Sequence, residues 1–173
     1  MKAVITIDSF KGSIDSIEAG EAAAKGIHIV YPNAKTLIYP LADGGEGTVR
    51  AMAKGLGGKL EQVEVTGPLG DRVICEYAIV ENKDGKADSI EENFANGLTA
   101  VIEMAGAAGI TLVPPDQRNP LHTTTYGVGE VIKDAVSKGC RNFIIGIGGS
   151  ATNDGGIGML QALGAEFLDE CGK

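Results

Sequence analysis

Several chemistries are excluded by what this chain lacks. Its three cysteines, Cys75, Cys140 and Cys171, are widely spaced and form no CxxC pair, and its two histidines, His28 and His122, lie near none of them. Zinc ligation and a disulfide framework are thereby set aside, and a reducing, cytoplasmic compartment fits best. No cysteine has a base beside it in sequence, which argues against a thiol nucleophile. Cations are in the minority: 15 Lys and Arg face 23 Asp and Glu, for a net charge of −8. That balance argues against nucleic acid as the main partner, although phosphate can still be held by local N–H groups, a lysine and a metal. There is no long apolar run. Met1–Ile7 is too short for a signal-peptide core or a membrane span, so no membrane partner is expected and the run reads as a buried first strand. No internal repeat is visible, and no Gly-Lys-Ser/Thr closes a glycine-rich stretch, so there is no Walker A loop.

What remains is a chain of 173 residues with 43% apolar content, enough for one domain or one domain plus a small lobe. Its 26 glycines are about twice the usual share and fall in clusters, which marks turns rather than disorder. The richest cluster is Gly146-Ile-Gly-Gly-Ser-Ala-Thr-Asn-Asp-Gly-Gly-Ile-Gly158, set between the apolar run Phe143–Ile145 and the helix-compatible Met159–Leu163. The order reads strand, glycine-rich turn, helix start. Glycines allow close backbone approach and positive φ, and a helix start offers unpaired amides and a favourable dipole to an anion. Ser150, Thr152 and Asn153 can hydrogen-bond a phosphate or sugar, and Asp154 can hold Mg²⁺. The competing reading is a tight β–α turn with Ser150 or Asn153 as N-cap. Gly146-x-Gly148 is no dinucleotide fingerprint, because position 151 is alanine.

Two earlier segments repeat the strand–loop–helix order. Lys2–Ile7 runs into Asp8-Ser-Phe-Lys-Gly-Ser13, where Ser13 is a plausible N-cap for a helix over 14–27. Thr36–Leu41 runs into Ala42-Asp-Gly-Gly-Glu-Gly-Thr48, and a helix over about 47–54 is stopped by Gly55–Gly58. This is the pattern of a parallel α/β sheet. The middle differs: Lys59–Val65, Arg72–Val80 and Thr99–Met104 read as strands of an antiparallel or mixed lobe, with a turn at Gly67–Asp71 and a polar loop at 81–97. A helix is expected from the Thr123–Gly129 region to about Ser137, capped by Gly139. A last strand covers Asn142–Ile147, and a loop or hairpin begins near Glu166. In open α/β sheets ligands bind beyond the carboxyl ends of strands. Asp8, Asp43 and the 148–155 loop would all lie there. Asp43 could orient a hydroxyl, act as general base or ligate Mg²⁺, and Lys11 could neutralise a transferring phosphoryl group. Glu103 and His28 read as structural. Thr124 or Thr125 reads as an N-cap, with ligand contact the lesser alternative for them and for His122.

The segments Asp8–Ser13, Ala42–Thr48, Val65-Thr-Gly-Pro-Leu-Gly70, Val101-Ile-Glu-Met-Ala105 and Gly146–Gly156, in this order, resemble the N-terminal part of the bacterial type I glycerate kinases. The resemblance implies ATP- and Mg²⁺-dependent phosphorylation of D-glycerate, in a fold with a Rossmann-like domain, a second α/β domain and a cleft between them. Residues 1–60 would begin the Rossmann-like part, and 61–173 would form the second part, truncated at its C-terminus. Carried over by motif, Asp43, Lys11 and Asp154 are the catalytic candidates. Asp8, Ser9, Gly148, Gly149, Ser150, Thr152 and Asn153 would bind nucleotide, Asp43 and Asp154 would hold Mg²⁺, and Glu46 matches a recurring polar position. The family's members are longer, so an incomplete sheet with an exposed edge would favour self-association. An insertion at 86–97 departs from the family. A nucleotide- or anion-binding piece without turnover, and another small hydroxy-acid kinase or phosphatase, are the alternatives.

Overall fold

The first two apolar runs do form parallel strands. In a computed structural model, which describes residues 1–10, 13–81 and 97–172, β1 (Lys2–Ile7) pairs in parallel with β2 (Lys35–Pro40), from Lys2 opposite Lys35 to Ile7 opposite Pro40. Helix α1 (Ser16–Val30) crosses between them and packs on one face, where Gly20 abuts the Ile38 side chain. The helix begins two residues later than expected. Asp15, not Ser13, is its N-cap: one carboxylate oxygen accepts from the amides of Ile17 (2.9 Å) and Glu18 (2.8 Å), and Glu18 returns a bond to the Asp15 amide. This capping box satisfies donors that a serine two residues earlier would miss.

The expected buried first strand is a half-buried one. Side chains along β1 alternate between exposed and intermediate, and Val4 is 58% exposed. A parallel sheet is ordinarily covered on both faces, and here α1 covers one. Val4 and Tyr39 are left facing out.

The second sheet holds the core. Its order is β3 (Lys59–Thr66), β4 (Arg72–Glu81), β5 (Leu98–Glu103), β6 (Cys140–Gly146). The first two pairings are antiparallel and the last is parallel, so the lobe is mixed. Alternation along β4 divides the apolar side chains between two faces. Cys75 and Tyr77 join Val65, Ala100 and Ile102 against Val128, Val131 and Ala135 of α4 (Tyr126–Ser137). Ala78 and Val80 join Val101 on the opposite face, under Val49 and Ala53 of α2 (Thr48–Leu56). Thus α2, placed by the sequence reading in the first part of the chain, packs on the second sheet. Fully burying each large aliphatic side chain contributes about 1.5–3 kcal/mol. The Tyr77 hydroxyl donates to Asp134 at 2.7 Å, and burial followed by that carboxylate pushes it up to about 12.

Strand β5 ends at Glu103, because Met104–Ala108 forms a one-turn helix, α3. Three 3-10 turns follow, at Ile110–Leu112, Pro115–Gln117 and Pro120–His122. The final helix α5 (Ile157–Ala162) is short, and residues 163–172 carry no strand, so of the loop or hairpin expected near Glu166 the described residues form the loop. Among those residues no helix is long and apolar enough to cross a membrane. The 86–97 insertion falls almost entirely outside them.

Candidate functional site

Parallel pairing forces β1 and β2 to end together. The Leu41 amide donates to the Ile7 carbonyl at 3.0 Å, so the loops that carry Asp8 and Asp43 leave the same sheet edge. Asp8 is half-buried and accepts from the Ser9 amide at 2.7 Å. Asp43 is exposed and accepts from the buried Gly45 amide at 3.1 Å, which folds its loop back on itself. Lys11 lies outside the described residues.

The loop after β2 meets the loop after β6, backbone against backbone. The Gly148 amide donates to the Gly44 carbonyl at 2.9 Å. A Cβ on Gly148 would stand 2.8 Å from the Gly45 Cα, and one on Gly146 would stand 2.5 Å from the Gly44 carbonyl oxygen. Gly44 has φ of 89° and Gly149 of 73°, both in the left-handed region. Gly146 and Gly148 therefore permit a contact no side chain would, while Gly44 supplies the left-handed backbone of the facing loop. Gly146 is also the register partner of Glu103 at the end of β5. Glu103 reaches α2, where its Oε1 accepts from the Val49 amide at 2.7 Å. Burial raises the Glu103 pKa, against the lowering effect of these backbone bonds.

The amides of the 146–158 loop are largely used by the protein itself. Ala151 donates to the Ala108 carbonyl, and the Gly149 carbonyl accepts from Ile110, each at 2.8 Å. The Thr152 amide donates to Ser150 Oγ at 3.1 Å, and the two hydroxyls are 2.8 Å apart. Asp154 is engaged most heavily. Its Oδ2 accepts from the Thr125 amide (2.9 Å), the Thr125 hydroxyl (2.8 Å) and the Gly158 amide (3.2 Å), while Oδ1 accepts from Gly156 (3.1 Å). Burial raises the pKa of this carboxyl, but the four bonds outweigh it and hold the group below the usual carboxylate range. The Thr125 hydroxyl also accepts from the Met159 amide at 2.9 Å. Asp154 thus staples the start of α5 to the start of α4. Neither Ser150 nor Asn153 caps α5, because Gly156 occupies the N-cap in the left-handed region. Gly149, Ser150 and Asn153 keep amides with no acceptor among the described residues.

The structure therefore joins Asp43, Gly148 and Gly149 at one junction and puts Asp8 and Ser9 on the adjoining sheet edge. Ser150 and Thr152 line a cavity of about 230 Å³ together with Arg118 and Asn119. Sequence reasoning missed two residues. Glu103 was read only as structural, without its part as the acceptor at the start of α2 beside the junction. Arg118 went unnoticed in its Pro-rich crossing, although it is the sole Lys or Arg between Lys86 and Lys133. His122 is exposed at the end of a 3-10 turn.

Among the described residues no three His, Cys, Asp or Glu cluster to hold a metal. Mg²⁺ needs no such cage, since it keeps several waters and takes one or two carboxylates together with substrate phosphates. An exposed Asp43 beside the glycine junction suits that mode. Asp154 suits it less, with both of its oxygens already accepting.

Paired glycine loops at the carboxyl ends of parallel strands, with a carboxylate beside them, define an α/β protein of the class whose ligands bind at that edge of the sheet. The glycerate kinase family model matches residues 3–173, and the chain belongs to that family. It is 50% identical to a glycerate kinase of Haemophilus influenzae and 48% identical to a glycerate 2-kinase of Escherichia coli, each across the whole chain. A solved structure of a glycerate kinase 2 from Salmonella typhimurium superposes with a TM-score of 0.77 at 49% identity, over 99% of this chain. The chain spans 42% of the length of each of these three relatives.

Proposed function

We propose that this chain carries the phosphoryl-transfer junction of a cytoplasmic glycerate kinase, which moves the ATP γ-phosphoryl group to a hydroxyl of D-glycerate. The observation that supports this most directly is the Gly148-to-Gly44 contact, which sets Asp43 beside the glycine loop. In phosphoryl transfer the acceptor oxygen bonds to phosphorus as the bond to the leaving ADP oxygen breaks, and the protein contributes mainly position and charge. Asp43 would orient the hydroxyl and hold Mg²⁺. The amides of Gly149 and Asn153 would hold phosphate oxygens, with Asp8 and Ser9 on the nucleotide side and Lys11 offsetting negative charge. Mg²⁺ supplies neutralisation of the β- and γ-phosphate oxygens. Asp154 would act through Thr125 and the loop rather than as a ligand.

The test is a coupled assay of ADP release with ATP, Mg²⁺ and D-glycerate, run on the chain and on Asp43→Asn. Glycerate-dependent turnover that falls at least 100-fold in the variant supports the reading. Turnover that Asp43→Asn leaves unchanged removes Asp43 from the chemistry. ATP binding by a folded chain with no transfer to any hydroxy acid would favour the anion-binding alternative.

A further inference from the structure

The 230 Å³ cavity lined by residues 150–152 of the glycine loop is electrostatically unlike the rest of this acidic chain. Its wall includes Arg118, Asn119, Ser150 and Thr152, with Ile110 and Val113 as apolar floor, and no acidic residue lines it among the described residues. The second cavity, about 540 Å³, has Lys59 and Lys138 on its wall, but both pair with Glu61, at 2.5 and 3.2 Å. Arg118, which is exposed, forms no such pair among the described residues. Its Nε donates to the Val113 carbonyl at 3.2 Å, which fixes the plane of the guanidinium, and its two terminal nitrogens meet no acceptor among the described residues. Ser150 Oγ and Thr152 Oγ1 share one hydrogen bond, so one hydroxyl proton of the pair is left to donate.

An oriented guanidinium edge with an adjacent hydroxyl donor matches a planar two-oxygen anion, which it binds with two parallel N–H···O bonds. Size decides between anions. A cavity of about 230 Å³ lies below the roughly 300–1,000 Å³ of pockets that enclose larger ligands, which favours a three-carbon acid over a nucleotide. We propose that Arg118, with Ser150 and Thr152, is the subsite that takes the carboxylate of the acceptor acid. This rests on the glycerate kinase reading, and it moves Ser150 and Thr152 from the nucleotide side of the loop to the acid side. Arg118 would distinguish a hydroxy acid from a polyol of the same length.

Calorimetric titration of the chain, Arg118→Ala and Arg118→Lys with D-glycerate, glycerol and Mg²⁺·ATP tests this, with circular dichroism as the check on folding. Loss of a charge-assisted hydrogen-bond pair should weaken glycerate binding by about 10- to 100-fold in Arg118→Ala. The loss should be smaller in Arg118→Lys, which keeps the charge but not the fork. ATP affinity should stay unchanged, and glycerol should bind no better to the wild type than to the alanine variant. Wild-type glycerate binding that both variants retain would overturn the subsite and leave the kinase reading standing. A fall in ATP affinity with glycerate binding intact would make the cavity a phosphate site and also overturn it. Absence of glycerate binding in the wild type would overturn both.

Discussion

Replacing Asp154 separates a structural carboxylate from a chemical one. Asp154→Ala removes the acceptor of four hydrogen bonds: two from Thr125 and one each from Gly156 and Gly158. Bonds to a charged acceptor contribute about 1.5–3 kcal/mol each when buried, and about 1 kcal/mol where water can replace the partner. The carboxyl is half-exposed, and the Thr125 hydroxyl can rotate. A net loss of about 2–4 kcal/mol is therefore expected, which for a chain of this length lowers Tm by about 5–12 °C. Asp154→Asn should cost less. Its carbonyl oxygen can keep the three partners of Oδ2, while its NH₂ then opposes the Gly156 amide, so about 1–2 kcal/mol is expected. The pH dependence has a definite sign. The folded pKa lies below the unfolded value, so the charged-state stabilisation is present above the ordinary Asp pKa of about 3.9 and is lost as pH falls through the lower folded value. Thermal unfolding from pH 7 to pH 3, followed by circular dichroism, should show wild type and Asp154→Ala converging in acid. An alanine variant with wild-type Tm at pH 7 would refute the staple. If that variant had also lost turnover, Asp154 would be a chemical group after all.

Three further outcomes follow from the same geometry. Gly148→Ala would place a methyl 2.8 Å from the Gly45 Cα, against backbone that cannot swing away. It should destabilise by about 1–3 kcal/mol, and it should depress turnover more than Asp154→Asn does; wild-type activity and Tm would show that the two loops separate freely. Glu103 has a folded pKa raised by burial, so its contribution to stability falls as pH rises from the ordinary Glu value of about 4.3 through the higher folded one. Glu103→Gln keeps an acceptor for the Val49 amide and should abolish that fall, with stability at pH 7 equal to or slightly above wild type. Glu103→Ala loses the bond to α2 and should cost about 1–2 kcal/mol in chemical denaturation; equal effects of the two substitutions would remove the capping role.

Much of this was legible in the chain because it depends on short-range patterns. The β–α–β order of residues 2–40 follows from apolar runs broken by Asp, Ser and Gly, and the turn at Gly67–Asp71 sets the β3–β4 hairpin. The family resemblance was carried by segments that each keep their own local chemistry, and the comparisons uphold it. What the sequence did not show are partners remote from one another in the chain. Glu103 and Val49 are 54 residues apart, and Asp154 and Thr125 are 29 apart, so neither bond leaves a local trace. For Asp154 the sequence offered only the ligand reading, because a carboxylate in a glycine loop looks the same whether its oxygens serve a metal or the protein's own amides; the bonds to Thr125, Gly156 and Gly158 add a second role.

The sequence by itself determined where strands, turns and helices form, since periodicity, capping residues and glycine φ preferences act within a few positions. It also determined the family, through motifs that are contiguous in the chain. Tertiary structure alone decided which loops touch. Strand pairing brings Gly44 to Gly148 across 104 residues and seats Arg118 beside Ser150. Those contacts depend on sheet order and on which face each helix covers, and both are fixed only when distant side chains are buried together.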